Sequence, residues 1–272
     1  MPPDQEASWA QPRDVTSVDE CYFYHTMDIP GHGTVRGDWD LRGREAAYLG
    51  NVDFRGKRVL EIGTASGFLC FFMEAMGAEM FAYDLSDQHD WDVVPLAGVN
   101  YDDYIAQSRR LTRRLNNGYW LAHKAFRSQA KVMYGTAYDV PGGMGRFDIA
   151  TFGSVLLHLR DPFLALQRVT AHIDDTVIVT DLFPRFEGPL LSLVERFSAS
   201  RLSRFLPRAG SREPNDTWWI LSPALVSEYL RILGFENTRV SFHQQLFGGR
   251  KVKLFTVVGR RSGPAARQGV RA

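Results

Sequence analysis

Two acids bracket a loop of small residues. Glu61 stands two positions before Gly63, Asp84 and Leu85 close the next apolar run, and Thr64, Ala65, Ser66 and Gly67 complete the loop. Such a loop, placed between a strand and a helix, offers backbone N–H groups to a ligand. An acid at the end of the second strand can accept both hydroxyls of a ribose. Spacing and charge discriminate among nucleotide ligands. A triphosphate loop needs a Lys-Ser/Thr pair after its last glycine, and GTASGFL has no lysine. A dinucleotide loop needs G-x-G-x-x-G, so that backbone closes on a pyrophosphate; here Ala65 replaces the middle glycine, and Glu61 would face two phosphates. A nucleoside with a positive charge and no phosphate suits both acids. S-adenosylmethionine is such a ligand: Glu61 would hold its ammonium directly or through water, Asp84 its ribose, and the helix N-terminus near Ser66 and Gly67 its carboxylate.

Methyl transfer from a sulfonium is an in-line displacement. The protein must align the reactants, exclude water and remove a proton when the acceptor is a hydroxyl. The candidate bases are His158, whose side-chain type suits proton transfer near neutral pH, and Asp181, at the end of a later apolar run. His25, in FYHTMD, is a weaker candidate and reads more readily as structural. Tyr22, Tyr24, Trp39, Trp218 and Trp219 are candidate walls of an acceptor pocket, with His25 beside them, although Tyr and Trp also favour half-buried packing positions.

The elements that must position these residues alternate strand and helix, which predicts an α/β fold with a mostly parallel sheet. Strands are expected over 57–63, 77–85, 131–140, 147–159 and 175–183. A helix from Ser66 to Met76 is apolar nearly all round, so it should lie between layers. Asp161-Pro162 and Ser222-Pro223 each open a further helix as N-cap and first-turn residue, and Gly234 closes the second. ENTRVSF and KLFTVVG follow with a short connection, so they must pair antiparallel. Two insertions, 86–130 and 184–217, leave the carboxyl ends of strands, where open sheets bind ligands; they are the expected lid. Residues 18–54 read as a flap over the same edge, and 1–17 and 261–272 as disordered ends.

The whole chain agrees with a soluble globular protein: 272 residues, 44% hydrophobic, 23% charged and a net charge of +1. Neutral charge gives no global bias towards nucleic acid. Arginines cluster in SRRLTRRL (108–115) and RLSRFLPRAGSR (201–212), which leaves RNA as a less favoured partner. Cys21 and Cys70 make neither a disulfide framework nor a zinc site. No apolar run approaches membrane-spanning length and no signal peptide is legible, so the expected address is the cytoplasm.

The pattern E-x-G-x-x-x-G, the strand ending at Asp84, GTAYDVP and FGSVLLHLRDP fall in the order found in class I S-adenosylmethionine-dependent methyltransferases, and residues 55–260 resemble that family. The resemblance implies a Rossmann-like seven-stranded sheet with an antiparallel last strand and helices on both faces. It further implies that Ala137 and Tyr138 line the adenine, and that Phe152, Gly153 and Ser154 approach the methionyl part. WDLRGREAAYLGNVDFRGKRVLEIG, VLLHLRDP and TWWILSPALVSEYLRILGF are similar to the branch that includes tRNA wobble-uridine carboxymethyltransferases. That branch carries a tyrosine where this chain has Leu157, and a basic residue in the last strand that FTVVG lacks. The departures favour ordinary S-adenosylmethionine and a hydroxyl or amine of a small molecule, such as a sugar or secondary metabolite, as acceptor. A tRNA substrate and a non-catalytic cofactor-binding protein are the alternatives.

Overall fold

The computed structural model describes residues 8–183 and 199–263. In chain order the strands and α-helices are β1 (Met27–Ile29), β2 (Gly33–Val35), β3 (Trp39–Asp40), α1 (Glu45–Tyr48), β4 (Arg58–Ile62), α2 (Phe68–Ala75), β5 (Glu79–Asp84) and α3 (Asp102–Phe126). They continue with β6 (Lys131–Tyr134), β7 (Phe147–Gly153), α4 (Pro162–Thr170), β8 (Ile173–Leu182), β9 (Ser203–Phe205), β10 (Trp219–Leu221), α5 (Pro223–Ile232), β11 (Asn237–Phe247) and β12 (Arg250–Arg260).

Alternation along the strands builds two cores. In β4 and β5, Val59, Met80 and Ala82 face one layer, while Leu60, Phe81 and Tyr83 face the other, as the two-residue period of a strand requires. The first layer receives α2, α3 and the N-terminal segment; the second receives α4 and α5. Asp161 and Ser222 cap the last two helices by accepting from the amides of Leu164 and Leu225.

The main sheet runs β3-β11-β12-β8-β7-β4-β5-β6. Strands β4 to β8 pair parallel, and β12 enters antiparallel beside β8. The chain first builds outward from β4 to β6 and then returns to place β7 on the other side of β4. The carboxyl ends of β4 and β7 therefore flank the switch point where open sheets open a crevice.

The sheet has eight strands where seven are expected, because Trp39 and Asp40 pair with Phe247 and Leu246 at the far end of β11. The strands expected over 131–140 and 147–159 stop at Tyr134 and Gly153. Gly135 follows at the point where the Tyr83 hydroxyl comes closest: a Cβ there would lie 2.0 Å from it. Residues 8–17, expected to be disordered, dock instead. The Ala10 amide donates to Val132 O at 2.7 Å and Trp9 packs on Phe81, covering the open edge beside β6 that would otherwise expose ladder groups. Arg261, also expected in a disordered tail, donates to the carbonyls of Thr170, Ile173 and Leu233. Residues 1–7, 184–198 and 264–272, and with them half of the second expected lid, lie outside the described residues. No helix among the described residues is long and apolar enough to cross a membrane.

Candidate functional site

A cavity of about 490 Å³ opens at the switch point, within the range of small-molecule pockets. Its floor is made by strand ends: Ile62 and Gly63 after β4, Asp84 and Leu85 after β5, Gly135 to Tyr138 after β6, and Gly153 to Val155 after β7. Gly63 has φ 73°, and a Cβ there would meet Val155 at 2.6 Å, so the two strand ends touch across the crevice. Ala65 adopts φ 53°, the left-handed region that glycine more often fills. Asp84 holds that turn. One carboxylate oxygen accepts the Ala65 amide and the other accepts the Leu85 amide, both at 2.7 Å.

Glu61 lies behind the loop and outside the cavity lining. It is 4% exposed and accepts a 2.6 Å hydrogen bond from the Thr64 hydroxyl. Thr64, Ser66, Gly67 and Phe152 also sit behind the wall. The Ser66 hydroxyl is fully buried with no hydrogen-bond partner among the described residues.

The roof comes from the flap and the insertions. Tyr22 and Tyr24 arrive from the N-terminal segment, Asp90, Trp91 and Asp92 from the loop after β5, Leu111, Thr112 and Leu115 from α3, and Asp216 from the second insertion. Asp92 ties these parts together. Its carboxylate accepts from Tyr138 at 2.5 Å and from the Arg160 amide at 2.7 Å, and pairs with the Arg160 guanidinium at 3.3 Å. Its carbonyl accepts from the Trp218 indole at 2.6 Å. Leu111, Thr112 and Leu115 share one face of α3, but the loop residues Asp90 to Asp92 and Asp216 follow no helix or strand period. Trp91 between two aspartates is the visible signal, a polar-aromatic mix where a core element would be apolar.

The predicted bases separate. His158 lines the cavity, and its Nδ1 lies 3.1 Å from Asp216 O and 3.8 Å from the Asp216 carboxylate. A carbonyl can only accept, so Nδ1 carries the proton and Nε2 is left as the basic nitrogen. Asp181 is 2% exposed and lies outside the cavity lining. One of its oxygens accepts the Leu182 amide at 2.7 Å. Of the predicted pocket residues, Tyr22 and Tyr24 line the cavity. Trp39 supports it from behind, donating to the Tyr24 hydroxyl at 3.2 Å, and buried His25 packs on Tyr24 and Phe68. Trp218 and Trp219 brace the roof, donating to the carbonyls of Asp92 and Arg160.

Among the described residues, four aspartates and no lysine or arginine line the cavity. Burial pushes Glu61 up to about 7, Asp84 to about 6 and Asp181 to about 7, against 4.5, 3.8 and 3.8 in an open chain. Each folded form binds its proton more tightly than the unfolded chain. Their contribution to stability is therefore complete below about pH 4 and is lost as pH rises through 6 to 7. Burial acts oppositely on His25 and His243, each lowered from 6.5 to about 4, so these oppose folding once pH falls below 6.5. The urea midpoint of the free protein should rise on going from about pH 8 to about pH 6.5 and keep rising below, more shallowly than the three acids alone would give because the two histidines oppose them. A midpoint that falls steadily over that first interval contradicts the burial of these acids.

The N-terminal domain of EvdMO1, solved in the presence of SAH and D-fucose, matches with a TM-score of 0.52 at 16% identity, covering 88% of this chain and 91% of that one. The same domain with SAH bound also gives 0.52, at 17% identity and the same coverage. These likenesses show a shared fold. A lower score, 0.46 at 13% identity over 80% of each chain, is found with magnesium protoporphyrin IX methyltransferase from Synechocystis PCC 6803 with bound SAH. No curated protein sequence matches the chain. The family model for a methyltransferase domain matches residues 39–239. The chain belongs to that family and is an S-adenosylmethionine-dependent methyltransferase.

Proposed function

We propose that this enzyme methylates a hydroxyl, or an amine, of a small molecule held under the roof of the cavity, with His158 taking the acceptor's proton. The observation that carries the reading is the cavity itself: strand-end backbone and Asp84 on one side, His158, Asp216 and aromatic residues on the other.

The residues present fit S-adenosylmethionine. A cavity lined by acids, with no lysine or arginine among the described residues, suits a sulfonium and disfavours a pyrophosphate. Each Asp84 oxygen spends one acceptor position on the loop, leaving a second for a ribose hydroxyl. Gly135 to Tyr138 would flank the adenine, and Gly63, Gly153 and Ser154 the amino-acid end. Glu61 adds negative charge from behind the loop, where it also fixes Thr64, rather than gripping the ammonium from the cavity wall. When bound, the cofactor supplies an electrophilic methyl group.

The chain's own work is to orient the acceptor, exclude water and move one proton. The Asp216 carbonyl holds the imidazole with Nδ1 protonated. Nε2 then accepts the hydroxyl proton as the oxygen gains its methyl group, and passes it to solvent afterwards. Asp92 and the aromatic roof cover part of the site. A tRNA acceptor would call for basic groups around the cavity. Arg109 is engaged with Asp90 and Arg114 with the carbonyls of Asp19 and Cys21.

The test is transfer of label from methyl-tritiated S-adenosylmethionine into fractionated extract. Label is expected in the small-molecule fraction. Label confined to the RNA fraction would overturn the proposal in favour of the tRNA reading.

A further inference from the structure

Ser154 has φ 54°, one of four non-glycine residues in the left-handed region among those described, and with Ala65 one of two that line the cavity. L-residues avoid this conformation unless surroundings impose it. Tyr48 supplies much of that constraint. Its hydroxyl lies 3.3 Å from Ser154 Oγ, and its ring fills the space over Gly153, where a Cβ would sit 3.0 Å from the hydroxyl and 3.2 Å from a ring carbon. Tyr48 is itself fixed, 4% exposed, with its carbonyl accepting from Thr180 at 2.6 Å and from Thr256 at 2.9 Å. The Ser154 amide is already committed to Thr180 O at 2.7 Å.

We infer that Tyr48 is a positioning residue for cofactor binding, holding Ser154 at the cavity wall so that its hydroxyl serves the amino-acid end of S-adenosylmethionine. This rests on the cofactor placement proposed above. The hydrogen bond between two hydroxyls uses one of their two protons, so Ser154 keeps its own proton when Tyr48 donates and both lone pairs when Tyr48 accepts. When Tyr48 donates, the Ser154 proton is free for a carboxylate. Burial pushes the Tyr48 phenol well above its ordinary value, so it keeps a proton to donate. Tyr48 lies in the flap, far in sequence from the glycine loop, so this contact gives the N-terminal segment a part in cofactor binding.

Calorimetry with three probes tests it: S-adenosylmethionine, S-adenosylhomocysteine and 5′-methylthioadenosine, which lacks the amino-acid end. Y48F and S154A should each weaken the first two by about 3- to 10-fold and leave methylthioadenosine binding as in the wild type. The double variant should be no weaker than the worse single one, because both remove one interaction. Additive losses, an unchanged Y48F, or an equal loss of methylthioadenosine affinity would each overturn the inference. Should Y48F not fold, S154A decides by the same three-probe comparison. D84A separates this from the broader reading. If D84A weakens all three probes and S154A the first two while Y48F binds normally, Tyr48 alone is misassigned. If D84A leaves all three unchanged, the cofactor placement is wrong.

Discussion

Asp84→Ala should lower the affinity for S-adenosylmethionine by roughly 100-fold, measured by calorimetry near pH 7.5. The carboxylate does two things with four acceptor positions. It closes the loop by taking the amides of Ala65 and Leu85, and it keeps two positions for ribose. Hydrogen bonds to a charged group contribute about 1.5–3 kcal/mol each, and buried partners left unpaired cost a similar amount. Alanine removes both functions at once: the Ala65 turn loses its anchor and the ribose its acceptor. Asp84→Asn keeps the shape but offers one oxygen rather than two, so its loss should be intermediate. A wild-type affinity in D84A would remove the ribose assignment.

His158→Gln should reduce turnover by about 10²- to 10⁴-fold while S-adenosylmethionine affinity stays within about twofold of wild type. Glutamine preserves a polar side chain near Asp216 and lacks a basic nitrogen, so the change isolates proton transfer from shape. Asp181→Asn is the control. Asp181 lies outside the cavity lining, so D181N should alter the pH dependence of stability and leave turnover nearly intact. A reversal, with D181N inactive and H158Q active, would transfer the base role to the buried aspartate. An acceptor that is a pre-deprotonated amine would instead leave both variants active.

The strand-end side of the cavity was legible in the sequence because it is local. Glu61 to Gly67 and Asp84 lie on adjacent strands whose apolar runs and glycines dictate their ends, and the structure puts Gly63, Ala65, Asp84 and Leu85 on one floor. The parallel sheet and terminal hairpin followed from the same periodicity. Which acids face the cavity was not legible. Glu61 points behind the loop to Thr64, a one-residue matter of strand facing that composition does not encode. The roof was legible only as insertions. Asp92, Asp216 and Tyr48 act through contacts spanning 68, 58 and 106 residues of chain, to Arg160, His158 and Ser154, and no local pattern announces such pairings. The docking of residues 8–17 was hidden for a related reason: a single amide on an edge carbonyl leaves no periodic trace.

The division of the cavity wall into a strand-built floor and an insertion-built roof bears on how such an enzyme changes over time. Floor positions are pinned by backbone geometry and by packing on both faces of the sheet, so most substitutions there would cost stability as well as cofactor. Roof positions hang from few ties, Asp92 chief among them. Changes at roof residues such as Asp90 to Asp92 or Asp216 can therefore reshape the proposed acceptor side while the proposed cofactor side stays intact. Descendants of one ancestor could methylate unrelated compounds without ever passing through an inactive form.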